Sequence, residues 1–216
     1  MPSILSEERG TKELVRAARY HHAALLADPA TAHLAPAVKT RIEALLKAES
    51  QSDAADAVHQ EKQALRDRAE YLHDDEQRAC ELEVFAGVRK DRSLPEYRAV
   101  YVLGFSGLIA LAGEEQEREV VKMCAALEKE HPEVAKKYKK NLLKLAAEAT
   151  AAEKALRQAD TDASHAFVAE VQARSTLVDQ LRRNEGALIS LFPRDRKRVR
   201  LYYRVRRPKK DAPSPA

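Results

Sequence analysis

Apolar residues recur along most of the chain at intervals of three and four, the spacing that lines one face of an α-helix. From Ser6 to Leu26, the positions Leu14, Val15, Ala18, Leu25 and Leu26 mark a capped amphipathic helix that ends before Asp28-Pro29. Two longer segments follow. Gly and Pro are absent from Ala37 to Ala86 and from Glu133 to Glu185, spans of 50 and 53 residues rich in Ala, Leu, Glu, Lys, Arg and Gln. Those residue types favour helix, and nothing in either span breaks it.

In the first span Val58, Leu65, Leu72, Ala79 and Ala86 recur every seven residues, which predicts a coiled-coil-like seam against a partner helix. The intervening seam positions are Glu61, Arg68, Asp75 and Leu82, a mixture better suited to packing within a bundle than to a tight free-standing dimer. In the second span Leu142, Leu145, Ala149, Ala152, Leu156, Ala159, Ala163 and Ala166 keep one helical stripe, and the phase then slips to Val171, Val178, Leu181 and Leu188. Polar clusters at Ser50 to Asp53 and Asp160 to Ser164 either cap a new helix or sit on the exposed face of a continuous one.

Between the spans, Pro95 opens a segment, Tyr97 to Ala112, that is apolar at nearly every position and is therefore expected at the centre of a bundle. Glu114 to Lys129 returns to an amphipathic pattern through Val120, Val121, Cys124 and Leu127, and His131-Pro132 ends it. Leu45-Leu46-Lys47 is echoed by Leu142-Leu143-Lys144, and Arg89 to Arg92 by Pro193 to Arg196, which leaves open two duplicated helical hairpins. The expected fold is all-α: an elongated antiparallel bundle of four to six helices over residues 1–193, with coiled-coil-like hairpins and a separate basic tail over 194–216.

Composition supports that reading. With 44% hydrophobic and 33% charged residues, only 6 Gly and 4 Phe and no Trp, Ala and Leu must supply most of the apolar surface, which disfavours an all-β fold. Cys80 and Cys124 are too few for a disulfide framework and lie in apolar helical contexts. The first residues lack a basic stretch followed by a long apolar run, so a cytoplasmic protein is expected. The longest charge-free stretch, Ala99 to Gly113, has 15 residues. That falls short of the roughly 20 needed to cross a bilayer.

Charge is distributed unequally. The formal net charge is +4, yet Arg194 to Lys210 holds ten Lys and Arg against the single Asp195, so the tail carries +9 and the rest of the chain −5. From Arg198 to Arg206 polar and apolar residues alternate: Val199, Leu201, Tyr203 and Val205 fall on one side, and Arg198, Arg200, Tyr202, Arg204 and Arg206 on the other. That period predicts a strand. Its cations, with Arg194, Arg196, Lys197 and Arg207, are the candidate contacts for an anionic partner such as nucleic acid, and Tyr202 is a candidate to stack on a base. The competing expectation is that Val199, Leu201 and Tyr203 dock the tail on the acidic body, whose charge its arginines neutralise.

Other chemistry is sparse. Glu70-Tyr-Leu-His73 and Asp162-Ala-Ser-His165 share the carboxylate-x-x-His step of di-iron helical bundles. The seam at Leu72 predicts that Glu70 and His73 face outward, which favours solvated side chains over a metal site. His21 and His22 point about 100° apart on a helix, so surface or partly buried imidazoles are expected. Gly104-Phe-Ser-Gly107 suits close helix packing better than phosphate binding, and the usual hydrolase, metalloprotease and Cys-x-x-Cys signatures are missing. The leading expectation is a non-enzymatic interaction or scaffolding protein without a cofactor, associating with itself or a protein partner through its helices and with an anionic partner through its tail. A metal-binding bundle using Glu70, His73, Asp162 and His165, and a membrane- or granule-surface protein exposing residues 99–112, are the alternatives.

Overall fold

Freedom from Gly and Pro has the expected consequence. In the computed structural model, which describes residues 10–203, all regular structure is helical and no strand occurs among the described residues. Helix α1 spans Thr11–Leu26, α2 Ala35–Gly87, α3 Pro95–Val100 and α4 Phe105–Ile109. They are followed by α5 at Gly113–Glu130, α6 at Pro132–Leu191 and α7 at Arg196–Leu201. α2 and α6 run for 53 and 60 residues, and both polar clusters lie inside them without a turn. α2 ends where Arg89 and Lys90 take positive φ (53° and 64°) and the Lys90 N–H reaches back to the Phe85 carbonyl at 2.9 Å. α5 stops at His131 because Pro132 bars that residue from the helical region.

The chain divides into two units. One joins residues up to Ala54 with those from Ala163 onward, and the other comprises Ala55–Asp162. The first buries Leu14, Ala18 and Leu25 of α1 with Val38 and Leu45 of α2, Leu177, Leu181 and Leu188 of α6, and Val199, Tyr202 and Tyr203 near the C-terminus. The second buries Cys80 and Val84 of α2, Tyr97, Tyr101 and Leu108 of the connecting segment, Val120, Cys124 and Leu127 of α5, and Tyr138 and Leu142 of α6.

Three expectations are corrected. First, Tyr97 to Ala112 is not one buried helix. It breaks after Val100 into a loop whose Gly104 takes φ of +72°, and although Tyr97, Val100, Tyr101 and Leu108 point inward, Val102 and Leu103 are exposed. Second, the predicted strand from Arg198 is helical through Leu201. Val199, Tyr202 and Tyr203, spaced three and four apart, enter the core, and Leu201 is 70% exposed. Arg204 and Arg206 lie outside the described residues.

Third, the seam of α2 faces the wrong way. Val58, Leu65 and Leu72 are exposed, and the stripe turned toward the protein is displaced by one residue: Ser52, His59, Arg66, His73 and Cys80. A heptad displaced by one residue turns by about 100°. The inward stripe is polar because its partners are polar: the Arg66 Nε donates to Glu153 at 3.1 Å, and the His59 ring nitrogen lies 3.8 Å from the Asp160 carboxylate. On α6 the predicted stripe does turn inward. Leu142, Ala149, Ala159, Val178, Leu181 and Leu188 are buried, and only Val171 of the predicted set is exposed.

Candidate functional site

The short helix α7 is fastened to its unit by polar bonds at its edge and aromatic packing beneath. Asp195 caps it, accepting the Arg198 N–H at 2.9 Å. Asp28, in the turn after α1, accepts the Tyr202 hydroxyl at 2.6 Å and the Arg198 guanidinium at 2.5 Å. These donors hold the Asp28 carboxyl down at about 2, the Tyr202 hydrogen bond contributing most. Arg198 also lies over the Phe192 ring at 3.9 Å. Tyr203 stacks on His21 at 4.5 Å between centroids, and its hydroxyl donates to the Leu181 carbonyl at 2.9 Å.

This arrangement sorts the predicted tail residues. Arg198 is spent on Asp28, and Tyr202, being buried, is not free to stack on a base. Arg194, Arg196, Lys197 and Arg200 are exposed, and none has a carboxylate partner among the described residues. Arg204, Arg206 and Arg207 continue the basic run outside them. Residues 55–162 hold 18 Lys and Arg against 22 Asp and Glu, a net −4, so most of the −5 outside the tail lies in the unit to which α7 does not belong. Sequence reasoning missed Asp28 and Phe192 as the clamp, because nothing local links Asp28-Pro29 to a helix 170 residues away.

His21 is the buried centre of the mount, only 1% exposed, where a surface or partly buried imidazole is expected from the sequence. Its Nδ1 lies 3.0 Å from the Tyr202 carbonyl and its Nε2 3.1 Å from the Asn184 amide nitrogen. A neutral ring donating from Nδ1 and accepting at Nε2 satisfies both bonds. Burial, the largest cause, lowers its pKa from 6.5 to about 4. The unfolded chain therefore takes up this proton first as pH falls. Stability due to His21 is complete above pH 6.5 and is lost toward pH 4, by about 3 kcal/mol in all. The expected result is that His21→Gln, compared with wild type by urea midpoints at several pH values, flattens the decline between pH 6.5 and 4. Equal slopes in the two proteins would refute the assignment.

The carboxylate-x-x-His steps separate. His73 is buried, not outward as its seam predicts: Gln77 Nε2 lies 3.0 Å from its Nε2, and Gln116 bonds to it as well. Burial lowers its pKa, with Asp74 and Gln116 acting in the opposite direction. Glu70 pairs with Arg66 at 3.0 Å, whereas Asp162 and His165 are exposed. Among the described residues no three His, Cys, Asp or Glu side chains come together as a ligand set.

The buried nucleophilic and acidic groups are structural in their surroundings. Desolvation pushes the Cys80 thiol up to about 12 and the Cys124 thiol to about 11, which leaves both protonated and unreactive at neutral pH. Glu81 accepts the Tyr97 hydroxyl at 2.7 Å and Arg92 at 2.9 Å, tying α2 to the turn and to α3. Among the described residues no helix is long and apolar enough to cross a membrane. No family model, no curated protein and no solved structure matches the chain.

Proposed function

We propose that the chain is a non-enzymatic interaction protein whose basic C-terminal segment contacts the phosphates of a polyanion, nucleic acid foremost. The observation that carries this reading is the mount of α7. Val199, Tyr202, Tyr203 and the Asp28 clamp fix the helix, while Arg194, Arg196, Lys197 and Arg200 stay exposed and, among the described residues, unpaired with carboxylates. A segment serving only to neutralise its own protein has no reason to leave these four charges in solvent. Phosphate contact requires cations, and a run of exposed Arg and Lys is the composition found here. The finer architecture we infer is an antiparallel helix pair, supported by ties that run in opposite numerical order: His59 with Asp160, Arg66 with Glu153 and Glu83 with Lys137. Two buried free thiols favour a reducing compartment such as the cytoplasm.

Titration of labelled duplex DNA with the protein, at low and at raised salt, tests the reading, with anionic vesicles as the second arm. Asp28→Ala tests the mount. Loss of the carboxylate is expected to free α7 and raise the rate of tryptic cleavage after Arg198 and Arg200 several-fold, while the helical circular dichroism is kept. An unchanged digestion pattern would show that the clamp does not hold the helix.

A further inference from the structure

The heptad seam of α2 is real as a pattern but turned away from the protein. Val58, Leu65 and Leu72 are 47%, 49% and 43% exposed, and Ala57 and Ala64 beside them are exposed as well. Solvent alone does not explain an apolar residue on one face at three successive heptads. The face is also self-complementary. Counted from Leu65, Leu72 lies seven residues toward the C-terminus and Val58 seven toward the N-terminus; Arg68 lies three residues one way and Glu61 four the other. Read backward, the face shows the same apolar positions, and Arg68 falls within one residue of the place Glu61 held.

We propose that this face of α2 pairs with the same face of a second copy of the chain, in antiparallel orientation about a two-fold axis at Leu65. The symmetry operation sets Leu65 on its own counterpart, Val58 on the other copy's Leu72, and Glu61 beside the other copy's Arg68. A parallel pair would instead set Glu61 on Glu61 and Arg68 on Arg68, like charges opposite one another at both sites. Charge complementarity thus selects both the occupant and its direction. Among the described residues Arg68 is exposed and has no carboxylate partner, and the exposed Glu61 pairs with its half-buried neighbour Lys62 at 3.2 Å, so both are available. An interface of the same patch on both subunits is the isologous kind that closes at a dimer. Three apolar layers make a small contact, so association is expected at about 10–100 µM.

The inference deepens the association half of the function proposed above and does not depend on polyanion binding. Sedimentation equilibrium on the full chain up to about 500 µM, well above that range, decides it. Wild type is expected to be a monomer–dimer mixture and Leu65→Glu a monomer, with equal helical circular dichroism because position 65 is exposed. Glu61→Arg and Arg68→Glu are each expected to weaken the dimer about tenfold, and the double exchange to restore it, a rescue that only pairing of like chains produces. A wild-type monomer throughout, a dimer indifferent to Leu65→Glu, or a double exchange that fails to restore association overturns the proposal. Measuring DNA binding on the same samples separates the two readings. Intact DNA binding by a protein that stays monomeric overturns the dimer alone, and a dimer without DNA binding overturns the polyanion contact alone.

Discussion

Changing Arg194, Arg196, Lys197 and Arg200 together to Gln, in a chain ended at Tyr203, is expected to abolish binding to duplex DNA and leave the fold intact. For the wild type, about five to eight engaged charges at −0.9 per contact give a log–log salt slope of roughly −4 to −7. Replacing Arg194 and the three α7 cations alone should flatten that slope by about 3.6, and ending the chain at Tyr203 alone should remove the remainder. The cut falls after Tyr203 for a structural reason. Removing everything from Arg194 onward takes Val199, Tyr202 and Tyr203 out of a core in which Tyr203 covers His21, so lost binding could then reflect lost folding. Binding should be indifferent to sequence, because the proposed contacts are to backbone phosphates, which carry no sequence information. Wild-type affinity no tighter than about 10⁻⁴ M for DNA, RNA and anionic vesicles at low salt would leave the segment as a structural arm.

Leu181→Ala and Leu142→Ala are each expected to cost about 2 to 5 kcal/mol, since each removes a fully buried side chain from the centre of its unit. Leu72→Ala is the contrasting case. At 43% exposed, Leu72 has little apolar contact to lose within the chain, and its removal should cost well under about 1 kcal/mol in dilute solution. Guanidinium unfolding followed by circular dichroism measures all three. A Leu72→Ala midpoint shifted as far as that of Leu181→Ala would mean that the exposed face is packed in solution.

The contrast between these leucines shows where sequence reasoning succeeds. On α6, the apolar stripe through Leu142 and Leu181 meets apolar neighbours, so hydrophobicity marks the inward face correctly. On α2 the same reasoning selects Val58, Leu65 and Leu72, because the face that does turn inward offers His59, Arg66 and His73. Their burial is compensated by groups far away in the chain, Glu153, Asp160 and Gln116. A polar stripe matched by remote polar partners leaves no local signal. The candidate site follows the same division. Its cations are legible as a +9 run, but which remain free depends on Asp28, which takes Arg198 out of play.

By itself the sequence determined the helical class, the two long spans free of Gly and Pro, the stops at Pro132 and before Asp28-Pro29, and the basic C-terminal segment. Each follows from local propensity, missing breakers or counted charge, quantities that need no partner. Only the tertiary structure decided that both spans run on through their polar clusters, that residues 196–201 are helix, that His21 and His73 are buried, and that the α2 heptads face outward. The alternation of Arg with Val, Leu and Tyr favours a strand in isolation, but a strand there lacks a neighbour to take its backbone bonds. Coiled as a helix, the same residues satisfy those bonds internally and place Val199, Tyr202 and Tyr203 against Leu181, Phe192 and His21, and that burial outweighs the local preference.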